Sequence, residues 1–186
     1  MILVTGATGI LGRVIVLELL KRGKTVRATK RKSSNLQEVR KSFQFYTETP
    51  NEYFDSIEWI EVDFEDIHSL QNALNGVEEV YHCAAKVSFH PKDEKKMYQT
   101  NIEGTKQLLF ACQNSSVKKF LFVSSIAVLD GLNENGELDE SSDFNPKIDH
   151  SAYAISKHFS EMEVWRASAE GLNTVIVNPG ISIGSG

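Results

Sequence analysis

Three glycines at three-residue spacing constrain the fold of this chain more than any other feature. The segment TGATGILG, residues 5–12, contains Gly6, Gly9 and Gly12. An apolar run at residues 2–5 precedes it, and residues 10–22 continue with apolar side chains at helical spacing. Because glycine weakens both strands and helices, this spacing indicates a strand-to-helix turn that needs the conformational freedom of glycine.

A glycine turn between a strand and a helix is the setting in which dinucleotides bind. The first glycine permits the tight turn, the second lets the backbone approach a pyrophosphate, and the third lets the helix pack closely. The start of the helix adds free N–H groups and a positive dipole end for the phosphates. We therefore predict a dinucleotide site at Gly6, Thr8, Gly9, Ile10 and Leu11. The alternative is a tight turn without a ligand.

Short apolar runs alternate with segments of helical periodicity along the rest of the chain. This alternation is typical of a doubly wound α/β fold, in which helices cover both faces of a parallel sheet. The predicted strands are residues 2–5, 25–29, 57–62, 77–83, 119–124 and 173–178. The predicted helices are residues 10–22, 67–74, 94–114 and 151–170, with a short helix and a loop in 33–56 and an exposed loop at 130–150. The length indicates one domain, residues 1–186.

Composition and charge argue against several classes of function. The formal net charge is −5 and the pI is about 5.6, so there is no basic footprint for nucleic acid or an anionic membrane. No apolar run approaches the roughly 20 residues of a membrane helix, and the strand at residues 2–5 leaves no room for a signal peptide. The two cysteines and five histidines lack metal-ligand spacing. We expect no metal, and free thiols in a reducing, cytoplasmic setting.

The end of the second predicted strand indicates which dinucleotide binds. NAD sites usually carry an Asp or Glu there, about 20 residues after the glycine turn, to hold the ribose hydroxyls. This chain has Lys30 and Arg31 instead. An arginine can hold an adenosine 2′-phosphate that a carboxylate would repel. The pair favours NADP, with NAD as the alternative if these are solvated loop charges.

A tyrosine and a lysine in the segment SAYAISK form the candidate catalytic group. Tyr153 and Lys157 share one face of a predicted helix. A free tyrosine, with a pKa of about 10, is a poor base at neutral pH, but a nearby ammonium stabilises the phenolate. The strand FLFVSS ends at Ser124 and Ser125, and ligands in open α/β sheets bind outside such strand ends. A hydroxyl there can hydrogen-bond a substrate oxygen while Tyr153 moves the proton.

Seven segments in register resemble one known family. They are TGATGILG, VDFED, YHCAAKV, NIEGTKQLL, FVSSIAV, YAISK and NPGISIG. Together they are similar to the extended short-chain dehydrogenase/reductases, the NAD(P)-dependent epimerase/dehydratase group, and cover the Rossmann-type cofactor domain of that family almost end to end. VRATKR and SSIAVLDG look most like the dihydroflavonol 4-reductase branch and its hydroxysteroid dehydrogenase relatives.

The resemblance implies roles for individual residues. Ser125, Tyr153 and Lys157 would form the catalytic triad, and Asp130 would contact substrate. Asn101 would be a structural polar residue. Tyr153 and Lys157 would also contact the cofactor, together with residues near the adenine (Asp63, Phe64), the ribose and pyrophosphate (Ala84, Ala85) and the nicotinamide (Lys86, Pro179, Gly180, Ile181).

The implied function is an NADP(H)-dependent oxidoreductase that transfers hydride between nicotinamide and a carbonyl or alcohol substrate. One alternative is a nucleotide-sugar epimerase or dehydratase that retains NAD, and another is a dinucleotide-binding protein without chemistry. Extended members continue into a substrate region that is largely absent here. Either the protein is naturally short, or the chain is the cofactor half of a longer protein. We expect the second, with part of the substrate pocket missing.

The resemblance also implies a homodimer formed through the two long helices, residues 94–114 and 151–170. The apolar side chains of Ile155, Phe159 and Met162 fit such an interface, but they fit a buried core equally well.

Overall fold

A computed structural model describes residues 1–181 and 184, and it has the predicted doubly wound α/β fold. Six parallel strands form one sheet in the order β3-β2-β1-β4-β5-β6. The strands are β1 (Ile2–Thr5), β2 (Val26–Lys30), β3 (Glu58–Glu61), β4 (Glu79–His82), β5 (Lys119–Val123) and β6 (Thr174–Val177). The helices are α1 (Ile10–Lys21), α2 (Leu36–Phe43), α3 (Pro50–Asp55), α4 (Ile67–Ala73), α5 (Glu94–Tyr98), α6 (Gly104–Gln113) and α7 (Ala152–Ala169). The strand order reverses between β1 and β4, where such sheets bind ligands.

The predicted helix at residues 94–114 is interrupted in the middle. A π-helical segment, Gln99–Glu103, joins α5 to α6 and contains the buried residue Asn101. The Asn101 amide donates to the Lys86 carbonyl and to Ser156 Oγ, both at 2.9 Å, while its Oδ1 accepts from the Lys86 N–H at 2.7 Å. Asn101 thus holds both backbone polar groups of Lys86 in the loop after β4, which agrees with the structural role implied for it.

The prediction of one short helix in residues 33–56 was wrong, because this segment forms both α2 and α3. Asn35 caps α2 by accepting from the Gln37 N–H, and Pro50 begins α3. The rings of Phe43 and Phe54 meet edge-on, 6.3 Å apart, in a core shared with α1. Burial of these two aromatic side chains therefore attaches both short helices to the core.

Buried apolar side chains pack against the sheet in two separate clusters. One contains residues of β4, β5, α4, α6 and α7, and the other contains residues of β2, α1, α2 and α3. His82 lies in the interior between Thr5 Oγ1 (2.6 Å) and Thr105 Oγ1 (2.9 Å), and burial lowers its pKa to about 3. His82 is therefore a neutral core histidine with both ring nitrogens hydrogen-bonded.

Two residues of the long helices are not in the core. Phe159 and Met162 on α7 are about half exposed, so the prediction that these side chains belong to the buried core was wrong.

Cys83 and Cys112 are both free thiols. Within the described part of the chain, no three or more His, Cys, Asp or Glu side chains gather as metal ligands, and no helix has the length and apolar character to cross a membrane.

Candidate active site

A cleft of about 520 Å³ opens where β1 and β4 end. Nine of the seventeen predicted cofactor residues line it. The predicted cofactor residues that do not are Ile10, Leu11, Asp63, Tyr153, Lys157, Pro179, Gly180 and Ile181. The lining residues are Gly6, Thr8, Gly9, Thr29, Lys30, Arg31, Val62, Phe64, His82, Cys83, Ala84, Ala85, Lys86, Val87, Lys96 and Thr100. Sequence reasoning missed Lys96 and Thr100, although they are four residues apart in the predicted helix 94–114 and so share one face of it.

The glycine turn meets the loop after β4 at one wall of the cleft. Gly6 has a φ of +64°, and a Cβ there would lie 2.6 Å from the Ala84 nitrogen. A Cβ on Gly12 would lie 2.2 Å from the Gly6 carbonyl oxygen, whereas one on Gly9 would meet that oxygen at 3.3 Å. Gly6 and Gly12 are therefore required by the protein's own packing. Gly9 is much less constrained by it and lines the cleft.

The charge in the cleft is positive. Lys30, Arg31, Lys86 and Lys96 all line it, and no aspartate or glutamate does so among the described residues. The Lys30 ammonium lies 3.7 Å from the Glu61 carboxylate and that of Lys86 lies 3.2 Å from Asp93. Such a lining favours an anionic ligand.

Residues after β3 form the next part of the cleft wall. Phe64 stacks on His82 with 5.9 Å between ring centroids. Asp63 is exposed, and its Oδ1 accepts from the Glu65 N–H at 2.9 Å. Its N–H donates to Ser69 Oγ at 3.0 Å. These bonds fix Asp63 beside the cleft, and its contact with adenine stays a prediction.

Lys157 connects α7 to the end of β5. Its side chain is buried, its Nζ donates to the Val123 carbonyl at 2.7 Å, and the same atom lies 4.0 Å from the centroid of the Phe122 ring. Burial lowers the pKa of Lys157 to about 7, opposed by the negative charge of Glu161. The ammonium therefore sits at the strand end that leads into Ser125.

Ser125 and Tyr153 lie at the ends of two elements that Lys157 ties together. Ser125 begins a short 3-10 turn, Ile126–Val128, and its Oγ accepts from the Ala127 N–H at 3.2 Å. Tyr153 is in the first turn of α7, which Ser151 caps by accepting from the Ala154 N–H. Tyr153 is half-buried and lies one helical turn before Lys157.

Cys83 is a wall residue of the cleft in the segment after β4. Burial raises the pKa of its thiol to about 12, opposed by the positive charge of Lys157. The thiol is therefore protonated at neutral pH.

The segment after β6 is tied to the Ser125 turn. The Ile126 N–H donates to the Pro179 carbonyl at 3.0 Å, and the Asn178 amide donates to the Ser125 carbonyl at 3.3 Å. Gly180 is exposed and Ile181 is 94% exposed. Pro179 is thus held beside Ser125, whereas the nicotinamide contacts of Gly180 and Ile181 stay predictions. Ser182 and Ile183 of the NPGISIG segment lie outside the described residues.

Asp130 participates in holding its own loop together. Its carboxylate accepts from the Asn145 N–H at 2.8 Å and lies 3.3 Å from His150 Nε2. The Phe144 ring stacks on His150 (4.1 Å) and on His158 of α7 (3.9 Å). The segment at 130–150 contains no helix or strand, as predicted, but these contacts pin it to α7. The substrate contact of Asp130 stays a prediction.

Comparison with known proteins identifies the family of this chain. Residues 2–186 match the model of the NAD dependent epimerase/dehydratase family. A putative dihydroflavonol 4-reductase from Synechocystis sp. is 32% identical over 184 residues, which cover 97% of this chain and 49% of that protein. The chain thus spans about half the length of this curated relative.

Solved structures have the same fold. The crystal structure of gox2253 is 31% identical, with a TM-score of 0.78 over 96% of this chain and 51% of that one. UDP-glucuronic acid 4-epimerase from Bacillus cereus, solved with UDP-glucuronic acid and NAD, is 25% identical, with a TM-score of 0.75 over 95% of this chain and 55% of that one. On the family match, which covers almost the whole chain, this protein belongs to the NAD dependent epimerase/dehydratase family.

Proposed function

We propose that this chain is the cofactor-binding part of an NADP(H)-dependent oxidoreductase that interconverts a carbonyl and an alcohol. The observation that carries the proposal is the buried Lys157 at the end of β5, which ties the helix bearing Tyr153 to the strand end that leads into Ser125. The similarity to a putative dihydroflavonol 4-reductase supports a reductase.

The residues present fit a dinucleotide. Close packing at Gly6 and Gly12 brings the backbone of the glycine turn to the wall of the cleft. α1 begins there without a side-chain cap or an acidic residue in its first turn, so its N–H groups can receive phosphate. Lys30 and Arg31 line the same cleft and would hold an adenosine 2′-phosphate.

The chemical roles follow from these positions. The dinucleotide, when bound, supplies or accepts the hydride. Tyr153 donates a proton to the carbonyl oxygen in reduction and accepts it in oxidation. Ser125 orients the same oxygen through a hydrogen bond, and the Lys157 ammonium stabilises the phenolate that Tyr153 becomes after donating its proton.

The basic pair predicts a preference that a titration can measure. We expect the chain to bind NADPH at least about tenfold more tightly than NADH, because Arg31 pairs with the 2′-phosphate. Arg31→Ala is expected to remove most of this preference, and Lys32→Ala, at an exposed neighbour that does not line the cleft, to leave it unchanged. Fluorescence titration gives both constants. An affinity for NADPH no greater than that for NADH would contradict the role of Lys30 and Arg31.

The second and third glycines are expected to respond differently to alanine. Gly12→Ala forces a methyl group into the Gly6 carbonyl and should lower the free energy of unfolding by about 2–3 kcal/mol. Gly9→Ala should cost less than about 1 kcal/mol yet weaken NADPH binding, since the methyl group intrudes on the phosphate site. Urea unfolding and NADPH titration test the pair. Equal losses of stability in both variants would show that Gly9 is a packing residue.

A nucleotide-sugar epimerase is the second candidate function. The observation in its favour is the likeness to UDP-glucuronic acid 4-epimerase, solved with NAD. Such an enzyme would retain NAD and regenerate it in each turnover. A tightly held NAD in the purified protein, with no net oxidation of NADPH by any carbonyl, would favour this candidate.

A further inference from the structure

Arg13 holds the backbone of the glycine turn from the first turn of α1. Its side chain is buried, with 6% of its surface exposed. Nε donates to the Gly9 carbonyl at 3.2 Å and Nη2 donates to the Thr8 carbonyl at 2.9 Å. Thr8 and Gly9 both line the cleft. We propose that Arg13 is a positioning residue for the dinucleotide pyrophosphate, an inference that rests on the proposed function.

The hydrogen bonds of Arg13 determine where the N–H groups of the turn point. In a trans peptide the C=O and the N–H point in opposite directions. The Gly9 carbonyl accepts from both the backbone N–H of Arg13, at 3.0 Å, and its Nε. The N–H of Ile10, in the same peptide, therefore points away from the body of α1, where a phosphate oxygen can accept from it. Nη2 restrains the preceding peptide through the Thr8 carbonyl. The N–H of that peptide, on Gly9, donates to the Gly6 carbonyl at 2.9 Å and so closes the turn.

The charge of Arg13 also suits an anion at this place. A helix N-terminus carries a positive partial charge, so a buried cation in its first turn is unfavourable by itself. α1 has no acidic residue in that turn, and Gly9 has no side chain to cap it. The cleft beside it is lined by four cationic side chains and, among the described residues, by no carboxylate. The guanidinium thus adds to a positive potential that a diphosphate group would offset.

Two probes separate the role of Arg13 at the pyrophosphate from a general role in folding. NADPH contains the pyrophosphate, whereas adenosine 2′-monophosphate contains only the part of the cofactor that Lys30 and Arg31 are expected to hold. In the 186-residue chain, Arg13→Met is expected to raise the Kd for NADPH about tenfold or more and to change that for adenosine 2′-monophosphate by less than about twofold. Arg13→Lys, which keeps the charge, should recover part of the loss. Arg22→Met, at an exposed arginine at the other end of α1, is the control and should change neither constant.

The outcomes distinguish this inference from the proposed function. If Arg13→Met lowers both affinities by the same factor, or neither, Arg13 is a structural residue and the inference is overturned. If the methionine variant does not fold, Arg13→Gln is used instead, because its neutral amide can replace at most one of the two bonds to the turn. It should still weaken NADPH binding, and unchanged NADPH affinity in this variant overturns the inference equally. Failure of the wild-type chain to bind NADPH contradicts the proposed function instead.

Discussion

Tyr153→Phe is expected to lower turnover of a carbonyl substrate by about 10³-fold, within the range that a general acid contributes. The substitution removes only the hydroxyl that donates the proton, and the phenyl ring keeps its half-buried place on α7. The Kd for NADPH should change by less than about twofold, since the substitution keeps the ring and removes no charge. Turnover of the full-length protein is followed by NADPH absorbance, and binding by fluorescence.

Tyr98→Phe is the matched control for this variant. Tyr98 lies on α5, does not line the cleft, and is half-buried like Tyr153. It should leave turnover within about twofold of wild type. Unchanged turnover in Tyr153→Phe would remove the tyrosine from the mechanism.

Lys157→Met is expected to lower turnover by about 10²-fold or more and to alter the pH dependence of stability. Methionine retains much of the apolar stem of lysine but removes a buried ammonium whose desolvation is unfavourable. Urea unfolding of wild type and of Lys157→Met, followed by far-ultraviolet circular dichroism from pH 6 to pH 10, measures the free energy of unfolding of each protein.

The sign of the pH effect follows from the lowered pKa. In the folded state the pKa of Lys157 is about 7, whereas an unfolded lysine has a pKa of about 10.4. Between these values the unfolded chain binds the additional proton, so wild type loses stability relative to Lys157→Met as the pH falls from about 10 to about 7. The difference amounts to a few kcal/mol in order of magnitude and is constant below pH 7. If the difference in free energy of unfolding between the two proteins does not change with pH across this window, burial does not lower the pKa of Lys157.

The sequence was sufficient to predict the sheet because its signals are local. Each strand bound lies within two residues of its prediction, since apolar runs and turn residues set them. α2 and α3 were harder to predict, because helices of eight and six residues contain too few turns for the helical spacing of apolar residues to be recognised. Their stability comes from Phe43 and Phe54 packing in the core.

The site was predictable as a set of residues but not as an arrangement. The contact between Lys157 and Val123 spans 34 residues and depends on how α7 packs on the sheet. Spacing within YAISK cannot show it. Arg13 was missed for a different reason: an arginine four residues after Gly9 has the pattern of a solvated helix charge, and its burial follows only from the fold.

Transfer of deuterium from NADPH that carries deuterium at both positions of the nicotinamide C4 tests whether the protein passes hydride to a carbonyl. In the full-length protein with a panel of aldehydes and ketones, we expect one deuterium at the carbinol carbon of the product and one NADP⁺ formed for each alcohol. Tyr153→Phe should abolish both signals while NADPH still binds. Turnover of a nucleotide sugar by a tightly held NAD, with no deuterium transferred from NADPH to any carbonyl, would contradict the proposed oxidoreductase function.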